Sequence, residues 1–180
     1  MRGGTRSDKV GCAVSVFVLQ QTHASSHKKR AVIMCGMNAC PLCRPRPDDS
    51  AQWMRVAELA ISTLYLDRNQ TYRGHCQLVF DARHAEGLEL LEPDEYLRLS
   101  SDLAAAARAI VVAMKPDRMN YASLGNVVPH VHWHLVPRYR EDPRWGSPIY
   151  TTDLDDMPRT ALSEHEYRDI ADRIRAQLDV

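Results

Sequence analysis

The sequence has no surplus of either charge: 23 basic and 23 acidic side chains leave a formal net charge of zero. That balance gives no reason for bulk electrostatic attraction to nucleic acid or anionic lipid. The chain also lacks an apolar run near the roughly 20 residues that a membrane-spanning helix needs. The longest candidate, Cys12–Leu19 (CAVSVFVL), follows Arg2, Arg6 and Lys9 in the manner of a short signal peptide, but meets a poor cleavage context at Ala24-Ser25. A paired-cysteine framework is missing too. Five cysteines are an odd number, and 180 residues are enough to bury a core without disulfide staples. A reducing, cytoplasmic compartment is therefore the expectation. No internal repeat is visible.

What is present suits a globular chain: 44% hydrophobic and 26% charged residues. The neutral total conceals an asymmetry. Residues 1–36 carry six basic side chains and one acidic one, a net of +5, so residues 37–180 carry the compensating −5. The first 36 residues show no sustained period and are rich in small and polar types. They read as a poorly ordered basic extension, and Met34 and Met37 at its end leave a later start codon as a second reading.

From residue 37 the pattern becomes regular. Pro41–Ser50 holds three prolines and reads as loop. Residues 53–66 are mixed, with strand-like composition in Ile61–Leu66; Gly74–Phe80 reads as a strand after a turn. Pro93-Asp94-Glu95 opens a helix, since proline suits the first helical position and acids the helix N-terminus. Tyr96, Leu99, Leu103, Ala107, Ile110 and Met114 form its apolar stripe, and Pro116 stops it. Met119–Leu124 and Val131–Val136 read as two more strands around Gly125-Asn126. Ser163 with Glu166 predicts a capping box opening a last helix with stripe Tyr167, Ile170, Ile174 and Leu178. Strands before and after one long helix predict an α+β domain with an antiparallel sheet.

Residues 130–137 read His-Val-His-Trp-His-Leu-Val-Pro. On a strand, alternate residues share a face, so His130, His132 and His134 are expected in one row, roughly 6.5–7 Å apart, with Val131, Trp133 and Leu135 turned to a core. Each imidazole brings two nitrogens that need partners. Such a row suits a phosphate: one ring attacks phosphorus while others hold its oxygens. The competing reading is a metal-dependent hydrolase with the row as ligands. Three ligands along a strand are poorly placed for one ion, because the outer two lie about 13 Å apart at the backbone. Cys40-Pro-Leu-Cys43 is half of a metal site at most on its own spacing.

His130-Val-His-Trp-His-Leu-Val resembles the signature of the histidine triad (HIT) superfamily. The likeness extends over residues 37–150. Tyr72–Phe80 resembles that family's glycine-led strand, Asp81–His84 its loop into the long helix, and Met119–His130 its nucleotide-contacting strand and loop. The resemblance implies a HIT-like fold: an antiparallel sheet of about five strands, one long helix packed on it and a C-terminal helix in residues 151–180. It implies a hydrolase or nucleotidyltransferase acting at the α-phosphate of a nucleoside phosphate, either a dinucleoside polyphosphate or a phosphoramidate. His132 would form a nucleotidyl-imidazole intermediate; His134, His130, Asn126 and Asn120 would bind phosphate. It implies a structural zinc on Cys40, Cys43, His84 and His130, and a homodimer. A nucleotide- and zinc-binding module with little turnover is the rival reading. Gly125-Asn126-Val127-Val128 departs from the family's usual loop by lacking a hydroxyl donor. Cys12, Cys35 and Cys76 carry no evident role, and His23, His27, His75 and His165 read as surface or turn residues.

Overall fold

The structure is a computed structural model, and it describes residues 40–142, 144–149 and 159–178. The extension expected over residues 1–36 lies outside the described residues. A five-stranded antiparallel sheet is built from β1 (Trp53–Glu58), β2 (Ser62–Asp67), β3 (Cys76–Phe80), β4 (Arg118–Ala122) and β5 (His132–Arg138). Its spatial order is β1-β2-β3-β5-β4, so β5 enters between β3 and β4. Two helices, α1 (Pro93–Met114) and α2 (Glu164–Arg175), complete the fold. Among the described residues no helix is long and apolar enough to cross a membrane.

One sheet face, through Leu64, Leu66, Leu78 and Leu135, packs with Leu99 and Ile110 of α1 and with Tyr167, Ile170 and Ile174 of α2. Burial of this apolar area is the main driving force for the fold. The opposite face carries a small cluster of Cys40, Leu42, Tyr65 and Val79, with Trp53 packed against it, and holds the polar residues Gln77, Asn120, His132 and His134 beside Ala122 and Val136. Helix α1 ends on Lys115 at φ 52, ahead of the expected stop at Pro116. Helix α2 opens on the expected box: the Ser163 amide donates to Glu166 and the Glu166 amide to Ser163 Oγ.

Two readings are corrected. Tyr96, assigned to the buried stripe, is 49% exposed. It lies in the first turn at the border of a stripe whose centre is occupied by Leu99, Ala106 and Ile110. β1 was hidden in a segment read as mixed, because a register shift between Arg55 and Ala57 breaks its alternation.

Asp102 stands on the buried side of α1, only 5% exposed. Its carboxylate accepts from the Ala60 and Ile61 amides and from Ser62 Oγ, at 3.2, 2.9 and 2.7 Å. It thereby fixes the β1–β2 turn to α1. Replacing Asp102 by Ala leaves two buried donors, the Ile61 amide and Ser62 Oγ, and the part-buried Ala60 amide without this acceptor, so a loss of about 2–3 kcal/mol is expected from a urea titration. An unchanged midpoint would contradict this account of the turn.

Candidate active site and metal cluster

Register places the polar face. His132 pairs with Val79, and His134 with Gln77 on one side and Ala122 on the other. Side chains of paired residues share a face, so Gln77, Ala122, His132 and His134 lie together, opposite the helices. Val131 and Leu135 are buried in the main core and Trp133 packs against it, as the alternation predicted.

His132 is 7% exposed, and its Nδ1 lies 2.7 Å from the His130 carbonyl oxygen. A carbonyl can only accept, so Nδ1 carries the proton and Nε2 is the basic nitrogen of the ring. The His132 and His134 ring centroids are 5.2 Å apart. His134 Nδ1 is 3.2 Å from Nε2 of His75, which shares one proton between the two rings. Burial, then the neighbouring His75 and His132, push the His134 imidazole down to about 3. Burial also pushes His75 below its ordinary value, against the Asp67 carboxylate 3.9 Å away and a hydrogen bond to the Asn69 backbone. The pair is neutral at pH 7.

His130 does not complete the expected row. β5 begins at His132, and the His130 ring turns elsewhere. Its Nε2 donates to the Phe80 carbonyl at 2.7 Å, which leaves Nδ1 as the basic nitrogen, 3.5 Å from both Cys40 Sγ and Cys43 Sγ. His84 Nδ1 lies 3.3 Å from Cys43 Sγ. The donor atoms of Cys40, Cys43, His84 and His130 all fall within 4.8 Å of one another. Two thiols and two imidazoles form a donor set suited to a tetrahedral ion. Burial and the adjacent Cys40 push the Cys43 thiol up to about 11, so metal binding would release protons. Among the described residues this is the one group of such side chains close enough to hold a metal, and it contains only His130 of the three. The histidine row is therefore not gathered as ligands.

The amides fall differently. Asn120 shares the face of His134, two residues before Ala122 on β4. Its Oδ1 accepts from Arg138 Nη1 at 2.8 Å, which orients the amide. The buried Arg138 guanidinium also donates to the carbonyls of Arg144 and Ser147, tying the segment after β5 to the same strand end. Asn126 is exposed on the β4–β5 connection.

His75 is the residue that sequence reasoning missed, having been assigned to a turn surface. The signal lay in alternation: His75 precedes Gln77 by two, and Gln77 is paired with His134. Finding it required knowing that β3 adjoins β5. Gln77 completes this edge by donating to Asp67 Oδ2 at 2.6 Å.

The HIT domain profile matches residues 52–141, half of the chain. An adenosine 5'-monophosphoramidase of Saccharomyces cerevisiae is 30% identical over 126 residues, 66% of this chain and 76% of that protein. An adenylylsulfatase of Arabidopsis thaliana is 29% identical over 115 residues, and the match spans 61% of this chain but only 57% of the plant protein. Among solved structures, a HIT protein of Sinorhizobium meliloti aligns at TM-score 0.66 and 21% identity, covering 79% of this chain and all of that one. A zinc-bound HIT family protein of Mycobacterium smegmatis aligns at TM-score 0.56 and 20% identity, covering 78% and 96%. The fold and the His132–His134 face define a histidine triad protein. The chain belongs to the HIT-domain family.

The pH dependence of stability follows from the His134 shift. Unfolded, this imidazole binds a proton near 6.5; folded, near 3. Between those values the unfolded chain holds more protons. The contribution is therefore complete above about pH 6.5 and is lost as pH falls toward 3. His134→Gln should flatten the fall in urea midpoint between about pH 7 and pH 4.5. A slope equal to that of the unsubstituted protein would contradict the assignment.

Proposed function

We propose that this protein is a nucleotide hydrolase or nucleotidyltransferase acting at the α-phosphate of a nucleoside phosphate, with a covalent intermediate on His132. The observation that carries this reading is the bond from His132 Nδ1 to the His130 carbonyl, which dedicates Nε2 to nucleophilic attack. Nε2 forms a bond to phosphorus as the bond to the leaving group breaks. Water or another acceptor then cleaves the phosphorus–nitrogen bond, releasing the nucleotidyl group and restoring the imidazole. His134 and the Asn120 amide, which share the face of His132, are assigned to the phosphate oxygens. Asn126 is assigned there too, from the exposed connection that precedes the triad. The relatives named for adenylyl sulfate and adenosine 5'-monophosphoramidate support a substrate class in which a nucleoside monophosphate is joined to a small leaving group. Dinucleoside polyphosphates share that α-phosphate chemistry.

His132→Ala should reduce release of nucleoside monophosphate by at least ~1,000-fold while nucleotide binding survives. The assay is a turnover screen across nucleoside phosphoramidates, adenylyl sulfate and dinucleoside polyphosphates. Binding without turnover in the unsubstituted protein would favour a nucleotide- and zinc-binding module instead. Turnover retained in His132→Ala would exclude the covalent route.

We infer further that Cys40, Cys43, His84 and His130 hold a zinc ion. Such an ion supplies a structural cross-link between the Cys40–Cys43 loop and the residue that opens the triad. The basic Nδ1 of His130, set by the Phe80 carbonyl, supports this set. Metal analysis should find about one zinc per chain, lost in Cys40→Ser. Full retention of zinc in that variant contradicts the site. A homodimer in the cytoplasm fits the same reading: β4 is an edge strand with Tyr121 half-exposed, and Leu97 and Val112 of α1 are exposed.

A further inference from the structure

The segment 159–178 lies beyond the residues matched by the HIT domain profile. It is nonetheless bonded to the β2–β3 connection, which ends on His75. That connection is closed from inside by Gln70, which is 3% exposed. Gln70 Nε2 donates to the carbonyls of Asp67 and His75, at 2.6 and 3.3 Å, and its Oε1 accepts from the Gly74 amide at 2.7 Å. The backbone N–H of Gln70 donates outward, to the Thr160 carbonyl at 2.8 Å. Two residues earlier, the Arg68 carbonyl accepts from the buried Tyr167 hydroxyl, which in turn accepts from the Leu162 amide at 3.1 Å. The Arg68 guanidinium stacks on the Tyr167 ring at 4.4 Å and meets Glu164 at 2.7 Å. At the far end of the connection, Gly74 adopts φ +86, with Met114 and Pro137 against it.

We propose that the C-terminal segment is a strap that positions His75 against His134, with Gln70 and Tyr167 as its positioning residues. The inference rests on the reading of His132 and His134 as the reacting pair. The physical reason is tolerance. An imidazole–imidazole hydrogen bond of 3.2 Å survives only small displacements. A surface connection held at its two ends alone would fluctuate by more than that. The strap fastens the connection at Arg68 and Gln70 from outside, while the Gln70 amide ties Asp67, Gly74 and His75 together from within. The triad's third histidine is thus supported by residues far along the chain that carry no chemistry of their own.

Tyr167→Phe tests this, because it removes one hydroxyl and keeps the ring under Arg68. The expected result is a fall in kcat of ~10- to 100-fold with KM changed less than about twofold. Amide hydrogen exchange over residues 68–75 should rise severalfold at a temperature well below Tm. Gln70→Glu, which keeps the acceptor and loses both donated bonds, should do the same. Unchanged exchange in both variants overturns the strap, whatever the activity. Raised exchange with kcat unchanged overturns its positioning role. If the unsubstituted protein turns over none of the nucleotides screened, the catalytic reading itself fails; exchange still decides whether the strap exists.

Discussion

The hydrogen bond from His132 Nδ1 to the carbonyl of His130 is the constraint on which the site depends. It selects the tautomer of the residue proposed as nucleophile, and it does so through the backbone of a residue whose side chain belongs elsewhere. The His130 ring is fixed by the Phe80 carbonyl and faces two thiols. The flanking backbone is fixed as well: the His130 amide donates to Val128, the Val131 amide to Ala85, and the Phe80 amide to Val131. One short stretch before β5 therefore connects the metal-suited cluster, the sheet and the candidate nucleophile. A disturbance at the cysteine loop has a direct route to His132, because the same residue serves both.

The second support is neutral rather than charged. His134 and His75 lie side by side, and burial holds both below their ordinary range. Two imidazolium ions at this distance would repel; two neutral rings can share a proton and still offer a nitrogen to a ligand. The domain around them is net acidic from residue 37 onward. In the proposed reaction, recognition of an anionic phosphate on such a body falls to oriented donors, and Asn120, whose amide is held by Arg138, is assigned as one of them.

Much of this was legible from the residue order, for physical reasons that differ by element. The period of two put His132 and His134 on one face and Trp133 and Leu135 on the other. The period of 3.6 found α1 and α2, and the Ser163–Glu166 box marked where α2 begins. What escaped depended on neighbours distant in sequence. His75 gains its partner only because β5 inserts beside β3. His130 left the row because a carbonyl and two cysteines claim its ring. Asp102 had no place in the apolar stripe, and it is buried because the β1–β2 turn supplies three donors to its carboxylate. β1 was masked by its own irregularity.

A covalent bond between phosphorus and His132 is the most direct consequence of the proposed mechanism. Intact-mass analysis of the protein, quenched without acid during turnover of a nucleoside phosphoramidate, should reveal a single added nucleotidyl mass, localised by peptide mapping to His132. Turnover with no adduct on any histidine under trapping conditions, or an adduct that persists in His132→Ala, would contradict the account.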